Sequence, residues 1–134
     1  MSIISKELYG RILGHLEEDI LNLLWLKGSL TGREVFTSIR NTRQISLSTV
    51  LTVLGRLCKK GLVLKEKNQS DHIYAFTPAY TKDEFTRQIS DEVFKRLLDI
   101  SASGTTASFI DLLAEVDPIE LERLESIIES KRKK

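Results

Sequence analysis

A chain of 134 residues, 41% apolar and 29% charged with seven Gly and two Pro, has the make-up of an ordinary folded protein, neither disordered nor fibrous. It has room for one compact domain, or a small domain with an appendage, and not for a large enzyme cleft. No stretch approaches the roughly 18 continuous apolar residues of a membrane span, and the opening segment with Lys6, Glu7 and Arg11 lacks a secretory core, so the expectation is a cytoplasmic chain with no membrane insertion. The lone cysteine, Cys58, forms neither an internal disulfide nor a thiolate metal site by itself, and no metal or cofactor is expected.

The net charge of +1 hides an asymmetry. Residues 1–80 carry 11 Lys/Arg against 7 Asp/Glu, whereas residues 81–134 carry 9 against 12. Within residues 32–80 the balance is 8 basic to 3 acidic, a local excess that points to a polyanionic partner.

In chain order, Leu16–Leu26 reads as a buried helix with Ile20, Leu23 and Leu24 on one face, an acidic start at Glu17, Glu18 and Asp19, and a stop at Gly28. Thr31-x-x-Glu34 is a capping box that opens a short helix carrying Val35, Phe36 and Ile39, ending near Arg40. Asn41–Gln44 is a turn, and Ser46 begins a third helix that runs to Lys60 and stops at Gly61. Leu62–Asn68 and His72–Thr77 read as an antiparallel hairpin around Gln69, Ser70 and Asp71, closed by Pro78. Tyr74 and Phe76 are expected to pack on the helices, and Lys65 with Lys67 to give the first strand a basic side.

Beyond residue 80 the pattern is helical throughout. Thr81 and Glu84 make a second capping box, and Phe85, Ile89, Val93 and Leu97 form a stripe on a helix that reaches about Ser101. Ser103 and Gly104 are expected to break it before a helix over Thr105–Val116, and Asp117 with Pro118 starts a last one. The fold class is therefore mostly α with a small β-hairpin. The expected domains are a winged helix-turn-helix over 1–80 and a helical dimerisation region over 81–134.

In that architecture the third helix enters the major groove of DNA and the hairpin touches the backbone. Leu47, Val50, Leu54, Leu57 and Cys58 share an inward face, which leaves Ser48, Thr49, Thr52, Val53, Arg56, Lys59 and Lys60 outward. Hydroxyls near the helix start can approach base edges or phosphates, Arg56 can reach guanine, and the lysines, with Lys65 and Lys67 on the wing, neutralise phosphates. A helix from Thr81 to Ser101 would span roughly 30 Å and overshoot so small a domain, so its stripe needs a partner. The expectation is a homodimer built on Phe85, Ile89, Val93, Leu97, Phe109, Leu113, Leu121, Leu124 and Ile128. His15, His72 and Cys58 lie in unconnected settings, and no phosphate loop, metal pair or nucleophile elbow is present, so the chain is read as no enzyme. Two other readings stay open on the residues alone: a winged-helix protein-interaction or architectural module, which salt-insensitive binding would mark, and a ligand-sensing regulator.

Leu13-Gly14-His15-Leu16-Glu17, Leu24-Trp25, Leu30-Thr31-Gly32-Arg33-Glu34-Val35 and Ser48-Thr49-Val50-Leu51-Thr52-Val53-Leu54-Gly55-Arg56-Leu57 with Lys60-Gly61-Leu62 resemble the BlaI/MecI penicillinase-repressor family. Tyr74, Thr81-Lys82-Asp83-Glu84-Phe85, Ala107-Ser108-Phe109 and Asp117-Pro118 extend the resemblance over roughly residues 13 to 130. It implies a dimeric transcriptional repressor on inverted-repeat operators of double-stranded DNA, with the C-terminal helices of two chains interlocked. In the family's best-known members a membrane-bound sensor protease answers β-lactams, and the repressor is cut at an Asn–Phe bond in the dimerisation arm. The matching bond here is Ser108–Phe109. Its first residue departs from the family's pattern, so the resemblance carries the DNA function and leaves both the cleavage and the inducer open. A copper-responsive branch uses a cysteine-rich tail, which this chain lacks.

Overall fold

The structure, a computed structural model, describes residues 13–133; Lys6, Glu7, Arg11 and Lys134 lie outside the described residues. The elements run α1 (His15–Lys27), β1 (Leu30–Thr31), α2 (Gly32–Ile39), α3 (Leu47–Lys59), β2 (Val63–Lys67), β3 (Tyr74–Pro78), α4 (Lys82–Ile100), α5 (Ala102–Val116) and α6 (Pro118–Arg132). The chain divides into two compact units between Asp91 and Glu92, inside α4.

Local chemistry sets most of these boundaries. At the start of α2, Thr31 Oγ1 accepts from the Glu34 N–H at 3.2 Å while the Glu34 carboxylate accepts from the Thr31 N–H at 2.9 Å, so two orphan donors are satisfied reciprocally. Thr81 and Glu84 repeat the arrangement at the start of α4. Ser46 caps α3 by accepting from the Thr49 N–H at 3.2 Å. Gly61 ends α3 at φ 78°, a conformation that L side chains resist, and this lets the Leu62 N–H reach the Leu57 carbonyl and the Gly61 N–H the Cys58 carbonyl, both at 3.0 Å.

The sheet has three antiparallel strands in the order β1-β3-β2, one more than the expected hairpin. Leu30 pairs with Phe76 and Thr31 with Ala75, which fastens the α1–α2 connection to the hairpin. Ile20, Leu21 and Leu24 of α1, Val35 and Ile39 of α2, Val50, Val53, Leu54 and Leu57 of α3, and Leu62, Val63 and Phe76 of the hairpin form one buried core. Each such side chain stabilises the fold by roughly 1.5–3 kcal/mol relative to leaving it in water. The winged unit extends past residue 80, because Phe85 at the head of α4 packs on Trp25 with ring centroids 5.6 Å apart, and the Trp25 indole N–H donates to the Tyr80 carbonyl at 2.9 Å.

The other unit is helical. Gly104, expected to break the chain, instead sits in the first turn of α5, where its N–H donates to the capping Ser101 hydroxyl at 3.0 Å. Asp117 caps α6 ahead of Pro118. Among the described residues, no side chain of α4, α5 or α6 is buried.

Candidate nucleic-acid interface

The core fixes how α3 is rotated. Val50, Val53, Leu54 and Leu57 are buried, so the opposite side of the helix presents Ser48, Thr52, Gly55 and Lys59, with Thr49 and Arg56 on one shoulder and Leu51 on the other; all of these are exposed. The expected assignment of Val53 to this surface is corrected: at 4% exposure it belongs to the core stripe. Lys60 is corrected too. Its ammonium lies 2.6 Å from the Glu17 carboxylate with only 23% of the side chain exposed, so its charge is engaged inside the fold.

That ion pair ties the end of α3 to the start of α1. Burial works against the charge on Glu17, but the hydrogen bond from Lys60, the Gly14 N–H at 3.1 Å and the fields of Lys60 and Arg56 outweigh it and hold the carboxyl below its ordinary value. Arg43, in the α2–α3 turn, is held by Asp19 at 2.7 Å, and Arg40 lies over the Phe36 ring. Burial raises the Cys58 thiol above its ordinary value, partly offset by Lys65, which keeps it a neutral side chain.

The hydroxyls at the head of α3 form a cluster: Ser46 Oγ lies 3.1 Å from Ser48 Oγ and 2.9 Å from Thr49 Oγ1. Thr52 donates its proton to the Ser48 carbonyl at 2.9 Å, so its oxygen faces outward as an acceptor. No acidic residue occurs between Leu47 and Lys59. Anionic surface can approach this helix without like-charge repulsion from it.

The wing departs from expectation in one respect. The register sets Lys65 opposite Phe76 and Lys67 opposite Tyr74, so the lysines and the aromatics share one face of the sheet. Phe76 is buried, whereas Tyr74 is 43% exposed and carries the Lys65 ammonium 4.2 Å from its ring centroid. The tip is closed by Asn68, which accepts from the Ser70 N–H at 2.8 Å, and Asp71, which accepts from the Ile73 N–H at 2.9 Å; His72 adopts φ 61°. The surface so assembled holds Ser48, Thr49, Thr52, Arg56 and Lys59 on α3 and Lys65 and Lys67 on the wing. The sequence reading missed Leu51, Gly55 and Tyr74; the position of Leu51 beside the polar face of α3 was the available signal.

In the helical region Val93, Leu97, Leu113, Leu121 and Leu124 are half-buried, and Phe109 and Ile128 are 40% and 44% exposed. Phe94 meets Phe109 edge-to-face at 5.7 Å, and with Leu98, Ile110, Leu124 and Ile128 they line an apolar hollow of about 390 Å³. Phe85 is corrected from this set, since Trp25 of its own chain covers it, and Ile89 lines the same neighbourhood with Leu13 and Trp25. The Ser108–Phe109 bond lies inside α5.

Three helices, a three-stranded wing and an acid-free, hydroxyl- and cation-bearing third helix define a winged helix-turn-helix of the DNA-binding class. Residues 13–130 match the profile of the Penicillinase repressor family, to which the chain belongs. It is 38% identical to the transcriptional regulator BlaI of Mycobacterium tuberculosis over 73 residues, 54% of this chain and 51% of that protein. It is 25% identical to the penicillinase repressor of Staphylococcus aureus over 118 residues, 88% of this chain and 91% of that protein. The crystal structure of the YusO protein from Bacillus subtilis is similar in fold, with a TM-score of 0.50 at 18% identity over 96% of this chain and 80% of that one. The protein is a DNA-binding transcriptional repressor, and its family is one of repressors and not of enzymes. No helix among the described residues is long and apolar enough to cross a membrane.

Proposed function

We propose that the chain represses transcription as a cytoplasmic homodimer on an inverted-repeat operator, with α3 of each copy in the major groove and each wing against the backbone. The observation that carries this reading is the division of α3: a buried stripe of Val50, Val53, Leu54 and Leu57 behind an outward face of hydroxyls and cations without an acid. Arg56 is assigned a base or phosphate, Lys59, Lys65 and Lys67 phosphates, and Ser48, Thr49 and Thr52 the base edges or phosphates nearest the helix start. Dimerisation is assigned to Ile89, Val93, Leu97, Phe109, Leu113, Leu121, Leu124 and Ile128, because apolar side chains in this region remain open to solvent in a single chain.

A membrane-bound sensor protease stays open as a partner for release, because the matching bond, Ser108–Phe109, departs from the family's Asn–Phe pattern. The bond is enclosed in helical backbone hydrogen bonding, so cutting requires local opening of α5.

Selection of bound sequences from random duplex DNA by the full chain tests the proposal. An enriched inverted repeat, with half-sites one DNA turn or a multiple apart and affinity that falls steeply with salt, is the expected result. Enrichment of a single half-site, or of nothing, would contradict it.

A further inference from the structure

Gly55 has no task in the fold. It stands inside α3, away from both caps, and its φ is not positive. A Cβ added there would meet no atom within 4 Å. Gly32 is a contrast, since a Cβ on it would lie 2.5 Å from Leu51 Cδ2 and the tip of that side chain would have to shift. Glycine destabilises a helix interior relative to alanine, so a glycine that the fold does not need is explained by something that approaches α3 from outside.

The surroundings of Gly55 say what that is. One turn earlier on the helix Leu51 is 45% exposed, and Leu51 and Gly55 together line the groove that Ile73 and Tyr74 of the wing close on the other side. Around this apolar spot stand Thr52, Arg56 and Lys59, cations and a hydroxyl suited to a polyanion. The major-groove edge of a duplex offers hydrogen-bonding atoms and one kind of apolar group, the 5-methyl of thymine.

We infer that Leu51 and Gly55 form a notch that receives a thymine methyl in each half-site, Leu51 as its apolar wall and Gly55 as the point where the helix backbone comes closest to the bases. The inference rests on the docking of α3 proposed above. It makes these two residues determinants of base preference, beside the polar groups that hold the phosphates.

The test uses the operator recovered by selection, with each thymine of a half-site replaced in turn by deoxyuridine, which removes only the methyl. One position is expected to weaken binding of the wild type about three- to fivefold, the effect of one buried methyl, and to have no effect on Leu51→Ala. Gly55→Ala is expected to raise the Tm of the free protein and to lower operator affinity, two changes of opposite sign that a purely structural glycine would not give. If no deoxyuridine matters, or Gly55→Ala binds as the wild type does, the notch is wrong, while weakened binding by Lys59→Ala and Arg56→Ala shows that α3 still docks. If those two variants bind normally as well, the docking of α3 falls, and the notch with it.

Discussion

The winged unit closes a buried apolar core within one chain, although Leu26, Leu51, Leu64 and Ile73 stay exposed on it, and the helical region closes none. Ile20, Leu24, Val35, Val50, Leu54 and Leu57 are fully buried in the first, whereas among the described residues α4, α5 and α6 contain no buried side chain and leave Leu98, Ile100, Phe109, Leu112, Val116 and Ile119 between 40% and 78% exposed. The difference teaches how the two regions gain stability. A winged unit with one continuous core holds its reading helix rigid in a single copy, whereas three amphipathic helices without a core of their own need further apolar surface, which the proposed second copy supplies.

The largest effect that could break this comparison lies in the core. Leu54→Ala removes a fully buried side chain from the middle of α3 and is expected to lower unfolding stability by about 2–5 kcal/mol, seen as a lower denaturant midpoint. A loss near zero would mean that the winged unit is not held by this core.

Next comes Leu124→Asp, which places a carboxylate in the hollow beside Phe94 and Phe109. Sedimentation should report monomers, a loss of roughly 3 kcal/mol or more in association, while the near-ultraviolet signal of Trp25 stays native. A dimer that survives this change would place the interface elsewhere.

Glu17→Gln sharpens the comparison from the winged side. The wild-type carboxyl sits below its ordinary value of 4.5, so its contribution is present above that pH and is lost as pH falls through the lowered value. The variant should be destabilised at pH 7, where Lys60 loses its partner, and the gap in Tm should narrow under acid. A gap independent of pH would remove the ion pair from the account.

The smallest effect is expected at Lys67→Ala, which should leave sequence preference intact and make the fall of log affinity with log salt shallower by about one for each phosphate that Lys67 neutralises in the wild type. An unchanged slope would take Lys67 off the DNA backbone.

The sequence made legible most of what depends on near neighbours, the Ser101 cap that keeps Gly104 helical being the exception. Both Thr-x-x-Glu boxes, the Ser46 cap and the Gly61 stop are contacts within a few residues and read directly from the chain. Features fixed by distant partners were not legible. The two-residue β1 exists because it pairs with Phe76 and Ala75, and nothing in Leu30-Thr31 announces a strand. Lys60 looked like a surface cation because its partner Glu17 is 43 residues away. Val53 was misplaced for a geometric reason: it flanks the Val50–Leu54–Leu57 stripe, and only the packing of α1, α2 and the hairpin into one core with α3 decides how far round the buried face extends. On the wing, alternation along each strand was readable, but which face the lysines share with the aromatics follows from the cross-strand register.

The measurement that bears most directly on the central claim is the affinity of Arg56→Ala for the selected operator and for a scrambled duplex at the same salt. Reading of the major groove by α3 predicts a loss of about 1–3 kcal/mol on the operator and a much smaller one on the scrambled sequence. Equal losses on both would make Arg56 a phosphate contact, and no loss on either would contradict the placement of α3 in the groove.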